Sequence, residues 1–386
     1  MTSYDYIITG TGASGLMTAY RMSLDAYFDN KKILLIDKES KHSNDRTWCY
    51  WEEGGGEWDH LLTKKWNNIY FGSHEYSAVI PLEQYHYKML RSGDFYDYLW
   101  SQIRKKKSIN YIIDEVISFT DIGNSVTVKT NTFIFKTSKL INSIFNTAIL
   151  TQQNKYPYLK QHFIGWFVKT LKPVFDDKSA TFMDFKIAQN GNTRFMYILP
   201  ISQTLALVEY TLFSDQLLSL SEYESAIEKY LDQRGIQDYT ITEKEQGNIP
   251  MTSFPFEKRN SKNILHIGSA GGWTKASTGY TFANTNKKSI ELVRYLKTNS
   301  DLRRFHNRSR YWFFDLIFLD VLFRNNEVGS TVFSSIFNGN KVQEIFTFLD
   351  EKGTWFSDIK IILHTGPKLN FIKSFFKTLP NIIFNK

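Results

Sequence analysis

Asp5-Tyr6-Ile7-Ile8-Thr9 runs directly into Gly10-Thr11-Gly12-Ala13-Ser14-Gly15, and Asp37 closes the next apolar run, Lys32-Ile33-Leu34-Leu35-Ile36. Residues of these types in this order can hold a dinucleotide. Gly10 allows a tight turn, Gly12 lets the backbone approach a pyrophosphate, and Gly15 lets helix and strand pack closely. The phosphates would sit over Ala13 and Ser14 at the helix N-terminus, where free N–H groups and the helix dipole favour negative charge. Asp37 lies about 20 residues beyond the glycines, where a carboxylate can take ribose hydroxyls. A second strand–glycine–helix unit follows much later. Ile264-Leu265-His266-Ile267 leads into Gly268-Ser269-Ala270-Gly271-Gly272 and a helix after Thr285. An FAD fold uses such a unit to close over the flavin end, and a nicotinamide-only fold has less need of it.

A carboxylate supplies the other candidate chemistry. Along Thr204 to Leu212, alternation puts Leu205, Leu207, Glu209 and Thr211 on one strand face, so Glu209 sits among apolar neighbours. Burial disfavours the charged form and raises a carboxyl pKa toward values useful for proton transfer. By pattern alone, an edge-facing Glu209 in an ion pair remains open. Asp184, in Met183-Asp184-Phe185 on a neighbouring strand, is a second candidate, with a turn or salt-bridge role equally open. The histidines, His266 included, show no metal-ligand spacing, so no metal site is expected.

The elements that must position these residues interleave. Leu16 to Leu24 reads as the first helix, and residues 39–68 form a Trp-rich connection. Lys88 to Ile103 reads as a helix, with Met89, Phe95, Leu99 and Ile103 near helical spacing. Segments 109–120, 125–130 and 132–136 read as a meander with a turn at Gly123-Asn124, and Leu140 to Phe145 could return to the main sheet. Strands follow at Phe163 to Val168, Ala180 to Phe185, Arg194 to Leu199 and Thr204 to Leu212, then a helix from Tyr223 to Arg234. From 300 onward the pattern is helical and apolar, ending in the basic, amphipathic stretch Lys368 to Lys377. The expected fold is α/β: a Rossmann-like, glutathione-reductase-like FAD/NAD(P)-binding domain with an interleaved β-rich substrate domain and C-terminal helices. Its boundaries are 1–68, 86–150 and 251–300 for the nucleotide domain, 69–85 and 151–250 for the β-rich domain, and 301–386 for a helical cap.

Composition narrows the partners. The 386 residues suffice for two domains or one large composite one. Aromatic residues make up 16%, which permits a large aromatic-lined cavity. The single cysteine, Cys49, excludes internal disulfides and cysteine-rich metal sites and suits a reducing cytoplasm. The nucleotide strand begins almost at Met1, so no signal peptide is expected. No apolar run reaches about 18 residues, so no transmembrane helix is expected. The net charge of +8 comes without a nucleic-acid-binding motif. The densest cluster, Arg104-Lys105-Lys106-Lys107, ends a helix, where cations complement the dipole. Lys368 to Lys377 has two readings, a packed helical cap or an interfacial membrane contact.

Several segments together resemble the FAD-dependent lycopene cyclases of carotenoid synthesis, of the bacterial β-cyclase type. They are Asp45-Arg46-Thr47-Trp48-Cys49-Tyr50-Trp51, Met183-Asp184-Phe185, Tyr197-Ile198-Leu199-Pro200, Leu207-Val208-Glu209-Tyr210-Thr211 and Ile249-Pro250-Met251-Thr252. The last is Gly271-Gly272-Trp273-Thr274-Lys275-Ala276-Ser277-Thr278-Gly279-Tyr280-Thr281-Phe282. The resemblance covers almost the whole chain to about residue 340. Two departures stand out: Ala276 replaces an expected Pro, and Gly268-Ser269 lacks the Asp common there in other flavoproteins.

The resemblance implies an isomerase-type reaction without net redox change. A linear end group of lycopene is protonated, the tertiary cation is attacked by a neighbouring double bond, and proton loss leaves a β-ring. The two ends lead through γ-carotene to β-carotene. It implies FAD active in its reduced form, with NAD(P)H as electron donor, and it puts Glu209 at the family's acidic position. Trp273, Tyr280 and Phe282 would present ring faces to the cation, or simply pack. Arg46 and Trp48 would line the flavin or the substrate tunnel. A carotene lives in bilayers, so the expected protein is cytoplasmic and peripherally membrane-associated, without a nucleic-acid partner. Two alternatives remain on sequence alone: a redox flavoenzyme such as an isoprenoid reductase or monooxygenase, and a non-catalytic flavin- or carotenoid-binding protein.

Overall fold

The computed structural model describes residues 2–380 except His42 and Asn307, so residues 381–386 of the expected cap lie outside the described residues. By contact the chain forms two units: Met1–Trp48, Arg91–Lys155 and Phe254–Ser309, and Cys49–Leu90, Tyr156–Ser253 and the chain from Arg310.

The first unit holds the nucleotide elements. Ile33–Asp37 is buried at every position, as expected of a parallel strand covered on both faces. It pairs in parallel with Ser3–Thr9 and with Ile109–Ile113. Ser3–Thr9 pairs in parallel with Ile134–Asn142, whose last residues pair in parallel with Ile264–His266. The helix Ala13–Leu24 connects Ser3–Thr9 to Ile33–Asp37 and packs on the helices Ser92–Ile103 and Phe282–Thr298. On the sheet's other face, Ile7, Leu34 and Ile36 cluster with Val126, Val128 and Phe135 of the meander.

Two sequence expectations change here. The run 109–120 is two strands, Ile109–Ile113 in the parallel sheet and Val116–Asp121 in the meander. The segments expected at 132–136 and 140–145 are one continuous strand, Ile134–Asn142. Its first half pairs antiparallel with Val126–Thr130 and its second half joins the parallel sheet.

The second unit is built on a seven-stranded sheet in the order Tyr239–Met251, Leu159–Thr170, Leu205–Ser214, Thr193–Ser202, Ser179–Asp184, Asn68–Gly72, Ser77–Pro81. The helix Leu220–Gln233, started by a Ser219/Glu222 capping box, lies on one face. There Tyr223, Ile227 and Tyr230 pack with Ile164, Trp166, Val208 and Tyr210. Aromatic stacking ties the C-terminal helices to the strands: Phe333 on Phe185, Phe337 on Phe71 and Phe346 on Trp51.

A three-stranded sheet, Thr47–Glu53, Tyr85–Arg91 and Lys64–Trp66, corrects another expectation. The helix expected from Lys88 begins at Ser92, because residues 85–91 form the central strand of this sheet. Pairing on both sides overrides the helical propensity of Lys88-Met89-Leu90. Lys88 is fully buried there, with Nζ 2.7 Å from Glu52 Oε2 and 2.6 Å from Asp59 Oδ1. Residues 49–68 and 86–90, assigned on sequence to the nucleotide half, group with the strand-rich unit through this sheet.

Candidate functional site

In the nucleotide unit each glycine of the first turn meets a different constraint. Gly10 has φ +85°, and a Cβ there would lie 2.2 Å from Ser143 Oγ. At Gly15 a Cβ would lie 1.9 Å from the Gly10 carbonyl oxygen, so helix and turn touch only because the side chain is absent. Gly12 is different: nothing of the protein lies within 4 Å of a Cβ built there. That open space sits at the N-cap of Ala13–Leu24, whose first-turn N–H groups at Ala13, Ser14 and Gly15 have no intrahelical acceptor by helical geometry.

The second glycine segment reaches the same place. Gly268, at φ +58°, opens the turn Gly268–Gly271, and a Cβ on it would lie 2.4 Å from Ser14 Oγ. At Gly271 a Cβ would lie 2.0 Å from the His266 carbonyl oxygen, and Gly272 adopts a left-handed conformation over the Phe256 ring. Trp273 is fully buried, and its indole N–H has no hydrogen-bond acceptor in the structure. The open space at Gly12, the bare helix N-terminus and the approach of Gly268 to Ser14 fit a nucleotide pyrophosphate. The orphaned Trp273 N–H beside the second turn fits a further acceptor.

Asp37 also positions the loop. Its Oδ2 accepts from the Thr11 backbone N–H and, at 2.9 Å, from the Thr11 hydroxyl, while Oδ1 accepts from Glu39 N–H at 3.3 Å. An ionised carboxylate has about four acceptor sites, so capacity remains for a ribose hydroxyl. Arg46 is exposed, with Nη1 donating to the Asp45 carbonyl at 3.0 Å. Trp48 and Phe282 come together, ring centroids 5.2 Å apart, and both pack on Phe95. Trp273 packs elsewhere, against Phe305, and Tyr280 is half-buried in the connecting loop, its carbonyl accepting from Lys275 N–H at 2.8 Å.

The strand-rich unit holds the carboxylates. Val208, Tyr210 and Leu212 point to the helix-covered face, so Glu209 and Thr211 take the opposite one. Glu209 is 7% exposed and accepts a hydrogen bond from the Thr211 hydroxyl. Burial, reinforced by the charge of Glu245 and opposed by the Thr211 bond, pushes its pKa up to about 8. Directly opposite Glu209 are Gly165 on one side and Tyr197 on the other. The Tyr197 hydroxyl meets that of Tyr87, and both interact with the Cys49 thiol, whose pKa is raised by burial and by Glu209 and Glu245.

Asp184 does not join this group. It lies two strands from Glu209, not on the adjacent strand, and on the helix-covered face. Its Oδ2 accepts from Tyr230 at 2.7 Å and Arg234 at 2.8 Å, and Oδ1 accepts from Lys186 N–H at 3.0 Å. A carboxylate held by a cation and two further donors anchors the helix Leu220–Gln233 and is poorly placed to carry protons. Sequence reasoning passed over Gly165, Glu245, Tyr87, Tyr197 and Cys49 as site residues. Period-2 alternation sets the faces, but the strand register aligns Gly165, Glu245 and Tyr197 with Glu209, and packing of the three-stranded sheet brings in Tyr87 and Cys49. No cluster of His, Cys, Asp and Glu suited to a metal occurs among the described residues.

Comparison with known proteins adds family and fold. A family model described as lycopene cyclase protein matches residues 5–376. No curated protein matches the chain. Among solved structures, the chain is similar to a geranylgeranyl bacteriochlorophyll reductase-like protein from Thermoplasma acidophilum, with 11% identity and a TM-score of 0.60 over 97% of this chain and 98% of that one. It is also similar to the flavin-dependent brominase Bmp2, with 13% identity and a TM-score of 0.58 over 94% and 93% of the two chains. For p-nitrophenol 4-monooxygenase PnpA from Pseudomonas putida DLL-E4 the values are 10% and 0.58 over 97% and 99%. At such identities the likeness is one of fold, the mixed α/β architecture of FAD-dependent enzymes.

Proposed function

The chain belongs to the lycopene cyclase protein family, and on that premise we propose that it is a lycopene β-cyclase, turning the linear ends of lycopene into β-rings without net redox change. The observation that carries this reading is the burial of Glu209, which pushes its carboxyl pKa up to about 8 and so favours the acid form at neutral pH. Such a group can give its proton to an end-group double bond. The π pair forms the new C–H bond and leaves a tertiary cation, which a neighbouring double bond attacks to close the ring. An adjacent C–H bond then breaks, its pair forming the ring double bond and its proton returning to the carboxylate. Atoms and electrons balance with no oxidant.

Gly10, Gly12, Ala13, Ser14 and Gly15 would hold the FAD pyrophosphate, Asp37 the ribose, and Gly268, Gly271 and Gly272 the flavin end, with Arg46 beside it. Reduced FAD, its electrons drawn from NAD(P)H, would supply negative charge against the developing cation, an effect far larger in a dry cavity than in water. Of the aromatic residues expected on the polyene path, Trp48 and Phe282 stand together on Phe95 and would offer ring faces that tolerate positive charge, whereas Trp273 packs against Phe305.

The test is the product formed when the protein, FAD and a reductant act anaerobically on lycopene in liposomes. Cyclic product of unchanged mass is expected. A gain of two hydrogens, or of oxygen once air is admitted, would replace this reading with a reductase or monooxygenase. Unaltered lycopene bound to the protein would indicate a carrier.

Substrate delivery calls for a membrane surface. Among the described residues no helix is long and apolar enough to cross a bilayer. The helices Trp355–His364 and Lys368–Thr378 expose Phe356 at 85%, Leu369 at 70% and Phe376 at 67%. Lys368, Lys373 and Lys377 accompany them, the composition of an interfacial helix. Burying each apolar side chain contributes about 1.5 kcal/mol or more. Replacing all three with Glu is therefore expected to lower flotation with anionic liposomes by at least about tenfold. Undiminished flotation would remove these helices from the docking surface.

A further inference from the structure

Two glycines lie on the Glu209 face of the seven-stranded sheet. Gly165 pairs with Glu209, and Gly247 on Tyr239–Met251 pairs with Phe163 on Leu159–Thr170. Neither has a positive φ, so neither is needed for backbone conformation. In each case a neighbour fills the place of the missing side chain. A Cβ at Gly165 would lie 2.8 Å from Leu207 Cδ1 and 3.5 Å from Glu209 Cβ. A Cβ at Gly247 would lie 2.2, 2.5 and 3.0 Å from Cζ, Cε1 and Cε2 of Phe163. The far end of the Phe163 ring therefore lies across the neighbouring strand, where a side chain at 247 would stand.

Phe163 precedes Gly165 by two residues and so shares the face of Glu209. Its other cross-strand partner is Thr211, whose hydroxyl holds Glu209. Phe163 and Glu209 are thus diagonal neighbours, a spacing of about 7–8 Å that an aromatic side chain can span. Phe195 and Phe213, on the same face, are buried against each other, with ring centroids 5.4 Å apart. The Phe163 ring is different: it is partly exposed, and no other aromatic ring packs on it among the described residues.

We infer that Phe163 is a substrate-contact residue: its ring is the floor beside Glu209 on which the end group of the polyene rests, and Gly247 sets that floor by letting the ring lie across its strand. This rests on the reading of Glu209 as the acid. The positive charge forms on the carbon next to the one that takes the proton, so a ring adjacent to the acid meets it as it forms. The ring quadrupole attracts a desolvated cation and does little for a neutral hydrocarbon. A side chain at 247 would drive the ring off the strand and away from this position.

Two probes of one shape test the contact: a polyene capped with trimethylammonium and the same polyene capped with tert-butyl. Each is titrated against the full chain with FAD, followed by quenching of tryptophan fluorescence. Phe163→Leu is expected to weaken the cationic probe about three- to thirtyfold and the neutral one less than about twofold. Phe163→Tyr should retain the preference. Gly247→Ala displaces only the end of a flexible side chain, so the fold should persist. It should weaken the cationic probe in the parent but not in Phe163→Leu, since two residues acting through one contact are not additive. Equal loss of both probes in Phe163→Leu would reduce the ring to packing and overturn the inference. So would a Gly247→Ala effect of the same size with and without the ring. No product forms in this assay, so its outcome is separate from turnover. A cation preference that depends on Phe163, in a protein that forms no cyclic carotene, would keep the contact and reject the cyclase reading. Cyclic product without that preference would do the reverse.

Discussion

Glu209→Gln is expected to abolish ring formation while FAD still binds and the fold persists. The amide keeps the shape of the side chain and can still accept from the Thr211 hydroxyl, but it has no proton to give an alkene. A positioned general acid contributes about 10²- to 10⁴-fold, and protonation of an unactivated double bond leans on it fully, so a loss near the upper end is expected. The pH profile carries the same signature. Burial first, and the Glu245 charge second, raise the Glu209 pKa to about 8, so the acid form persists through neutrality. Turnover should hold across neutral pH and fall as pH rises through about 8, where the carboxylate form takes over. Product formation measured against pH in the unaltered protein, and at one pH in the variant, checks both. Turnover undiminished in Glu209→Gln would assign the acid to another residue.

Gly12→Ala and Gly15→Ala should fail in opposite ways. At Gly12 the added methyl meets no protein atom within 4 Å, and φ is −70°, ordinary for any residue. The variant should therefore melt like the parent when FAD is absent. With FAD the methyl would stand where the proposed pyrophosphate approaches, and affinity should fall at least about tenfold, or about 1.4 kcal/mol. At Gly15 the methyl would press 1.9 Å from a backbone oxygen that cannot rotate away. Overpacking of this kind costs about 1–3 kcal/mol or more, so this variant should lose stability even without ligand. Thermal unfolding with and without FAD, together with a flavin-fluorescence titration, separates the two. A Gly12→Ala protein that binds FAD at parental affinity would argue against phosphate contact at this turn.

These contrasts reflect what a single sequence can reveal. The first nucleotide unit was legible because its signals are local: glycines at fixed offsets, an apolar strand on each side and an acid at the end. Glu209 was legible in part, since alternation gave its face, while the role proposed for it came from the motif resemblance. For Asp184 the sequence left a salt-bridge role open, but Met183-Asp184-Phe185 gives no hint that the partner is Arg234, which reaches it from 50 residues away. The register that puts Gly165 between Glu209 and Glu245 was invisible for the same reason, since pairing between distant strands has no local signature. Lys88 was misread because its neighbours favour a helix, and its two carboxylate partners lie in the Trp-rich connection that looked like a loop.

The strand Ile134–Asn142 has a consequence for synthesis. Its last three residues, Leu140–Asn142, need Ser3–Thr9 on one side and Ile264–His266 on the other. A growing chain makes the first partner early and the second only after the sheet of the other unit has been laid down. Throughout that interval the edge at Leu140–Asn142 stays unpaired beside the glycine turn, and unpaired strand edges can recruit other chains. The late segment that carries Gly268 thus also shuts the last gap in the sheet, so the same few residues end the exposure of that edge and bring Gly268 against Ser14 at the helix N-terminus.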